Sequence, residues 1–266
     1  MVTDMSEISE KETYRAGLVV IGNEILSGRT QDTNTAWIAE NMVSLGILLY
    51  QVRVVPDVEE EIIAAIHDLR DKVDYLFTTG GIGPTHDDIT AEAVAHAFGT
   101  ELELNKEAYD ILVRHYGSEQ EVTPPRKKMA MIPIGASLID NPVSGAPGFK
   151  IGNVYVMAGV PRIMRAMLDG IKPTLKKGKP VLSNTVVCDL AESVVAEDLA
   201  AIQSRYPSVN VGSYPHYRGG LMGLSLVLRS IDDPALDAAT GEVIAMIEKL
   251  GGTPNALSIQ STGKPV

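Results

Sequence analysis

Apolar runs and amphipathic stretches alternate along the first hundred residues. Ala16 to Ile21 is continuously apolar apart from Gly17 and stops at Gly22, the pattern of a strand buried on both faces. Asp32 to Leu45 places Ala36, Trp37, Met42 and Val43 at helical spacing and ends at Gly46, which predicts a helix with Trp37 on its core side. Ile47 to Val55 predicts a second strand. Asp57, with Glu60 three residues on, predicts an N-terminal capping pair for a helix whose apolar face is Ile62, Ile63, Ile66 and Leu69. Val73 to Phe77 predicts a third strand, followed by a glycine loop and a helix to Phe98, stopped by Gly99. Three strand–helix alternations with short connections predict an α/β fold with a parallel sheet covered on both faces. Ligands bind such sheets beyond the carboxyl ends of the strands. Gly22-Asn23-Glu24, Pro56-Asp57 and Gly80-Gly81 fall at those ends, so Glu24, Asp57, Asp87 and Asp88 are expected to share one crevice.

After Asn105 the pattern predicts a helix to Tyr116, a short basic helix from Pro124 to Met131 and a strand from Ser137 to Asn141. Phe149 to Met157 predicts a hairpin turning at Gly152-Asn153, and Pro161 opens another helix. Lys176 to Pro180 is the best boundary. Beyond it, Leu182 to Leu190, Ser193 to Gln203, Val209 to Gly212, Met222 to Arg229 and Asp233 to Leu250 predict β-α-β-β-α, a small α+β domain. The expected layout is a ligand-binding domain over 15–175 and a small domain over 181–252. Residues 1–14 and 253–266 are expected to be flexible tails.

Composition narrows the class. With 45% hydrophobic residues among 266 the chain can bury a substantial core. A net charge of −11 disfavours nonspecific nucleic-acid binding and anionic membranes, so a phosphate site must be built locally. The single cysteine, Cys188, sits in an alternating apolar run and reads as a small buried hydrophobe in a reducing compartment. The N-terminus is polar, and no segment has the length and apolarity to span a membrane. A cytoplasmic protein is expected.

The chemistry concentrates in Gly80-Gly81-Ile82-Gly83-Pro84-Thr85-His86-Asp87-Asp88-Ile89-Thr90. Glycines let backbone N–H groups crowd around an anion, and a following helix adds its positive dipole end. Two adjacent carboxylates would repel that anion. A divalent cation shared by Asp87, Asp88 and a phosphate resolves the conflict. The plainer alternative is a strand–turn–helix connection with an Asp N-cap. Thr33 and Asn34 either bond a base or ribose or cap their helix. Arg29, Arg126, Lys127 and Lys128 either meet phosphates or are solvated. His86 is placed for proton transfer or is incidental. His216 falls in a polar loop, Tyr214 to Gly220, and has no assigned chemistry.

These motifs resemble a family. Gly22-Asn23-Glu24-Ile25-Leu26-Ser27-Gly28, Asp32-Thr33-Asn34 and Gly80 to Thr90 look like the molybdopterin-binding domain family of molybdenum-cofactor biosynthesis. Asn141-Pro142-Val143-Ser144-Gly145-Ala146-Pro147-Gly148-Phe149 and Gly159-Val160-Pro161 resemble its competence/damage-inducible (CinA) branch and the N-terminal domain of eukaryotic FAD synthases. The resemblance covers roughly residues 15 to 172. It implies a three-layer α/β/α domain followed by a small K-homology-like domain. It also implies hydrolysis of ADP-ribose or FAD with a divalent metal, cobalt or magnesium, and potassium. By motif, Asp57 and Asp88 carry function. Asp87 joins them as a catalytic candidate, and Glu24, Asp87 and Asp88 are the metal candidates. Gly80, Gly81, Gly83, Pro84, Thr85, Gly28, Thr33, Asn34, Gly145 and Gly159 are the substrate-binding candidates. Asn23 stands where the family usually has Asp, and Ala158 where the CinA branch commonly has Pro. No following amidase domain is expected, so deamidation of nicotinamide mononucleotide is not.

Three functions follow as expectations. The first is a metal-dependent nucleotide pyrophosphatase releasing AMP. The second is a protein that binds or adenylylates molybdopterin, and the third a non-catalytic nucleotide sensor. No nucleic-acid or membrane partner is expected, and the chain is expected to form a homo-oligomer.

Overall fold

The computed structural model describes residues 11–218 and 221–259. The chain divides into two compact units at Gly178/Lys179. The first begins with β1 (Tyr14–Ile21), a one-turn helix α1 (Asn23–Leu26), α2 (Asn34–Ser44), β2 (Ile47–Val55), α3 (Glu59–Arg70), β3 (Tyr75–Thr79) and α4 (Thr90–Ala97). It continues with β4 (Leu102–Leu104), α5 (Lys106–Tyr116), α6 (Pro124–Lys128), β5 (Met131–Pro133), β6 (Ser137–Ile139), β7 (Gly148–Ile151), β8 (Val154–Met157) and α7 (Pro161–Ile171).

Six strands form one sheet in the order β2-β1-β3-β8-β7-β6. Strands β2, β1, β3 and β8 run parallel, and β7 turns back antiparallel on β8. The predicted hairpin turn lies at Gly152, whose φ of 56° needs no β-carbon. Every residue of β3 is buried, because helices cover both sheet faces. On one face Val19, Ile21 and Leu76 meet Ile62, Ile66, Val94 and Leu112 of α3, α4 and α5 in one core. Ile38 and Met42 of α2 and Met164, Met167 and Leu168 of α7 are also buried. From β1 the chain passes to β2 on one side, then crosses to β3 on the other. The carboxyl ends of β1 and β3 therefore splay their loops apart, and that divergence is the crevice such sheets offer ligands.

Two local expectations change. The N-cap of α3 is Val58, with no side-chain cap, so the Asp57–Glu60 capping pair does not form. Likewise α4 is capped by Ile89 without a side chain, so neither Asp87 nor Asp88 is an N-cap. The plain helix-cap explanation for these carboxylates is thereby removed. The short β4–β5 pair and α1 gave no periodic signal, because three or four residues are too few to show one.

The second unit contains β9 (Leu182–Cys188), α8 (Glu192–Arg205), β10 (Asn210–Arg218), β11 (Leu221–Ser230), α9 (Asp233–Lys249) and β12 (Asn255–Ile259). Its sheet order is β10-β11-β9-β12, all antiparallel. Cys188, Val186, Leu224, Leu226 and Leu228 form its core with Val195, Ile202, Leu236 and Val243. Two corrections follow. Asn255–Ile259 pairs with β9, so the expected 253–266 tail begins as a strand; residues 260–266 lie outside the described residues. The sixth element makes the unit β-α-β-β-α-β, the split arrangement of ferredoxin-like domains, in place of the five-element K-homology-like reading. His216 lies in β10 opposite Gly223, not in a loop, while Gly219 and Gly220 lie outside the described residues.

Candidate functional site

Loops following β1, β2, β3 and β8 line one cavity of about 430 Å³, within the usual range for small-ligand sites. It receives Glu24 from the β1 loop, Asp57 from the β2 loop, Gly80 to Thr85 with Asp87 and Asp88 from the β3 loop, and Ala158 to Val160 from the β8 loop. The four carboxylates predicted to converge do so. The geometry follows from the sheet: parallel strands deliver all their carboxyl ends to one edge.

The glycine loop is shaped mainly by the protein itself. Gly80 has φ 105° and donates its N–H to the Met157 carbonyl at 3.1 Å. That amide is therefore committed to β8 and does not face a phosphate, contrary to its assigned role. A β-carbon on Gly80 would come 2.1 Å from the Ile21 oxygen, and one on Gly81 would come 2.1 Å from Thr90 Oγ1. Thr90 is fully buried. Its hydroxyl donates to the Gly80 carbonyl at 3.0 Å, and its amide donates to the Gly81 carbonyl at 3.0 Å. Thr90 is thus a staple between loop and helix, a role that sequence reasoning missed. Among the described residues the amides of Gly81, Ile82 and Gly83 have no backbone acceptor. These are the donors left for an anion.

Asp87 and Asp88 are held as a pair. The Thr85 hydroxyl lies 2.6 Å from Asp87 Oδ1 and 2.5 Å from Asp88 Oδ2, and the Thr85 amide donates to Asp88 Oδ2 at 2.8 Å. The Thr85 hydroxyl bond and its own backbone amide hold the Asp87 carboxyl below the usual carboxylate range. Asp88 packs over Gly83, where a β-carbon would stand 2.7 Å from Asp88 Oδ2. Lys128 steadies the loop from α6 by donating to the Thr85 carbonyl at 3.3 Å. Asp57, also in the cavity lining, accepts the Asn23 amide through Oδ2 at 2.8 Å and so ties the β1 and β2 loops together. Asn23 itself does not line the cavity and opens α1, a turn position where Asn serves as well as Asp.

Other predicted residues lie elsewhere. Thr33 and Asn34 line a separate pocket of about 40 Å³, which shares Ile21, Glu24 and Gly159 with the main cavity. Asn34 is buried and donates Nδ2 to the Gly159 carbonyl at 2.8 Å, so it holds the β8 loop instead of meeting the main ligand space. Gly28, with φ 71°, is exposed and lines neither pocket. Gly145 also lies off the cavity, against His115. His86, Arg29, Arg126 and Lys127 do not line it either. Conversely, Tyr116, Met129, Asn141, Ser144, Ala146 and Ile163 do. Asn141 shapes that wall: Nδ2 donates to Ser144 Oγ and the Ala146 carbonyl, both at 2.7 Å, and Oδ1 accepts the Val143 and Ser144 amides at 3.1 Å.

Among the described residues no three His, Cys, Asp or Glu side chains form a ready-made metal cage. The donor chemistry still suits a hard divalent ion. The cavity carboxylates supply oxygen ligands, and magnesium sites commonly combine one or two carboxylates with substrate phosphates.

Fold and site together define a doubly wound α/β protein with a carboxylate-rich, glycine-looped cavity at its switch point. The probable molybdopterin binding domain family matches residues 17–177, and the middle domain of FAD synthase matches 180–252. The chain belongs to the molybdopterin-binding domain family, in its CinA-like branch. A protein of Pyrobaculum calidifontis is 38% identical over 247 residues, covering 88% of this chain and 94% of its own. One from Aeropyrum pernix is 34% identical over 252 residues, covering 90% and 93%. The crystal structure of the CinA protein of Thermoplasma acidophilum, described as of unknown function, superposes with a TM-score of 0.58 at 35% identity. It covers 62% of this chain and 99% of that one. Among the described residues no helix is long and apolar enough to cross a membrane.

Proposed function

We propose that this protein hydrolyses the diphosphate of ADP-ribose or FAD in a reaction that depends on a divalent metal. What carries this is the meeting, in one cavity, of free loop amides with the Asp87–Asp88 pair, Glu24 and Asp57. Amides at Gly81, Ile82 and Gly83 bind the anion. Asp87 and Asp88, brought together by Thr85, would hold cobalt or magnesium alongside phosphate oxygens, with Glu24 a further carboxylate in the same cavity. Asp57 positions the Glu24 turn through the Asn23 amide. A divalent ion supplies charge neutralisation at phosphorus and activation of water. Water adds to phosphorus, the bridging P–O bond breaks, and AMP leaves together with a second phosphate monoester.

The matched family favours a second ligand, molybdopterin, which carries a phosphate that the same loop would hold. AMP release separates the two. Purified protein is incubated with ADP-ribose and, separately, FAD, with and without cobalt or magnesium, beside Asp88→Ala. Metal-dependent AMP that falls by about 100-fold or more in the variant supports hydrolysis, since even outer partners of metal ligands are worth about 10- to 100-fold. Nucleotide bound without AMP in any arm overturns hydrolysis and favours the pterin or sensor reading.

Self-association belongs to the same proposal. β2 is an open sheet edge whose Leu48, Tyr50, Val52 and Val54 are all exposed, an edge that a second copy would cover.

A further inference from the structure

Tyr116 ends α5 and forms part of the cavity wall. Its ring is fixed from outside the cavity. The Arg126 guanidinium lies 3.9 Å from the ring centroid, and Arg126 itself does not line the cavity. Arg126 is tethered in turn, donating Nη1 to the Glu121 carbonyl at 2.6 Å. The His115 imidazole stands nearly perpendicular to the Tyr116 ring, with centroids 5.0 Å apart and an interplanar angle of 85°. Gly145, at φ 74°, leaves room for that imidazole: a β-carbon there would fall 2.6 Å from His115 Cγ. The glycine expected to touch substrate instead makes space for the residue that braces Tyr116.

Ile82, Met129, Ala146 and Ile163 also line the cavity and give it an apolar portion. The glycine loop, the carboxylates and Asn141 with Ser144 bring polar groups to the same cavity. A cavity lined by both kinds of group suits a ligand that carries a flat apolar ring and a phosphate. A tyrosine braced by Arg126 and by the perpendicular His115 ring is restrained before a ligand ring arrives, so little entropy is lost when that ring stacks.

We infer that Tyr116 is the shelf on which the planar heterocycle of the ligand stacks, so that this cavity selects ring-bearing phosphates over ring-less ones. The inference rests on the proposed nucleotide site and adds which end of the ligand the tyrosine meets. Adenine and isoalloxazine share the required chemistry, and the test separates them.

Binding of AMP, FMN and ring-less ribose 5-phosphate is measured by calorimetry with the unmodified protein, Tyr116→Phe and Tyr116→Leu. One or both ring-bearing ligands should bind better than ribose 5-phosphate, and which of them does identifies the heterocycle. Tyr116→Leu should weaken the preferred ligand by about 5- to 100-fold, the usual worth of one stacked base. It should leave ribose 5-phosphate unchanged, and Tyr116→Phe should keep the preference. Transferred NOEs between ligand ring protons and the Tyr116 ring in the unmodified protein test the same contact without a substitution. Equal weakening of all ligands, an undiminished preference in Tyr116→Leu, or no NOE to Tyr116 overturns the shelf while leaving hydrolysis intact. Failure of every nucleotide to bind overturns both.

Discussion

At Gly80 and Gly81 three constraints meet in two residues: positive φ, close backbone approach and contact with the Thr90 staple. Gly81→Ala would add a methyl 2.1 Å from Thr90 Oγ1 at a φ of 66°. It should cost about 1–3 kcal/mol or more. Thr90→Val leaves the Gly80 carbonyl without its side-chain donor in a buried setting and should cost about 1–3 kcal/mol. Urea unfolding checks both, and a Gly81→Ala midpoint equal to that of the unmodified protein would contradict the steric account. The Gly-Gly-x-Gly wording was legible as a tight loop. That its first amide is consumed by β8 was not, because Met157 lies far away in sequence. Asp57 teaches the same lesson: its local pattern suits a helix cap, yet its partner is the Asn23 amide, 34 residues away.

The elements themselves were largely legible, because burial on both sheet faces writes continuous apolar runs and helices write a 3.6-residue period. The misses have local causes. β10 contains Pro215, which reads as a breaker, but β10 is an edge strand and tolerates a missing N–H. β12 follows Gly251-Gly252-Thr253-Pro254 and is a strand only because β9 offers an edge. Where strands begin, side chains also fix register. Asp74 just before β3 accepts the Arg15 amide at 2.8 Å and the Lys11 ammonium at 2.5 Å, while its own amide donates to the Arg15 carbonyl at 2.8 Å. Partial burial pushes its carboxyl up, but the Lys11 and Arg15 interactions outweigh that and hold it below the ordinary carboxylate value. A lowered folded value means stability that is present above the unfolded value and lost as pH falls through the folded one. Asp74→Asn should therefore lower the melting temperature at pH 6 and converge with the unmodified protein in strong acid. Parallel curves down to strong acid would show that Asp74 contributes no pH-linked stability.

At the scale of the molecule, each unit has its own core: α3 to α5 cover one in the first unit, and α8 and α9 cover one in the second. The candidate site belongs wholly to the first. The exposed apolar edge of β2 gives a test of assembly: sedimentation should show the unmodified protein as an oligomer and Val52→Lys with Val54→Lys as a monomer of unchanged circular dichroism. A monomeric unmodified protein would remove the proposed edge contact.

The sequence alone determined the alternation of strands and helices, the parallel sheet and the sheet edge whose loops line the cavity, because periodicity and glycine placement are local records of burial and backbone conformation. It also carried the family resemblance, through motifs whose order is itself information. Only the tertiary structure decided which loop amides remain free, that Asp57 secures a neighbouring turn, and that Tyr116, Met129 and Ile163 join the cavity. Those facts depend on contacts between residues tens of positions apart, and such contacts leave no periodic trace in either partner's own segment.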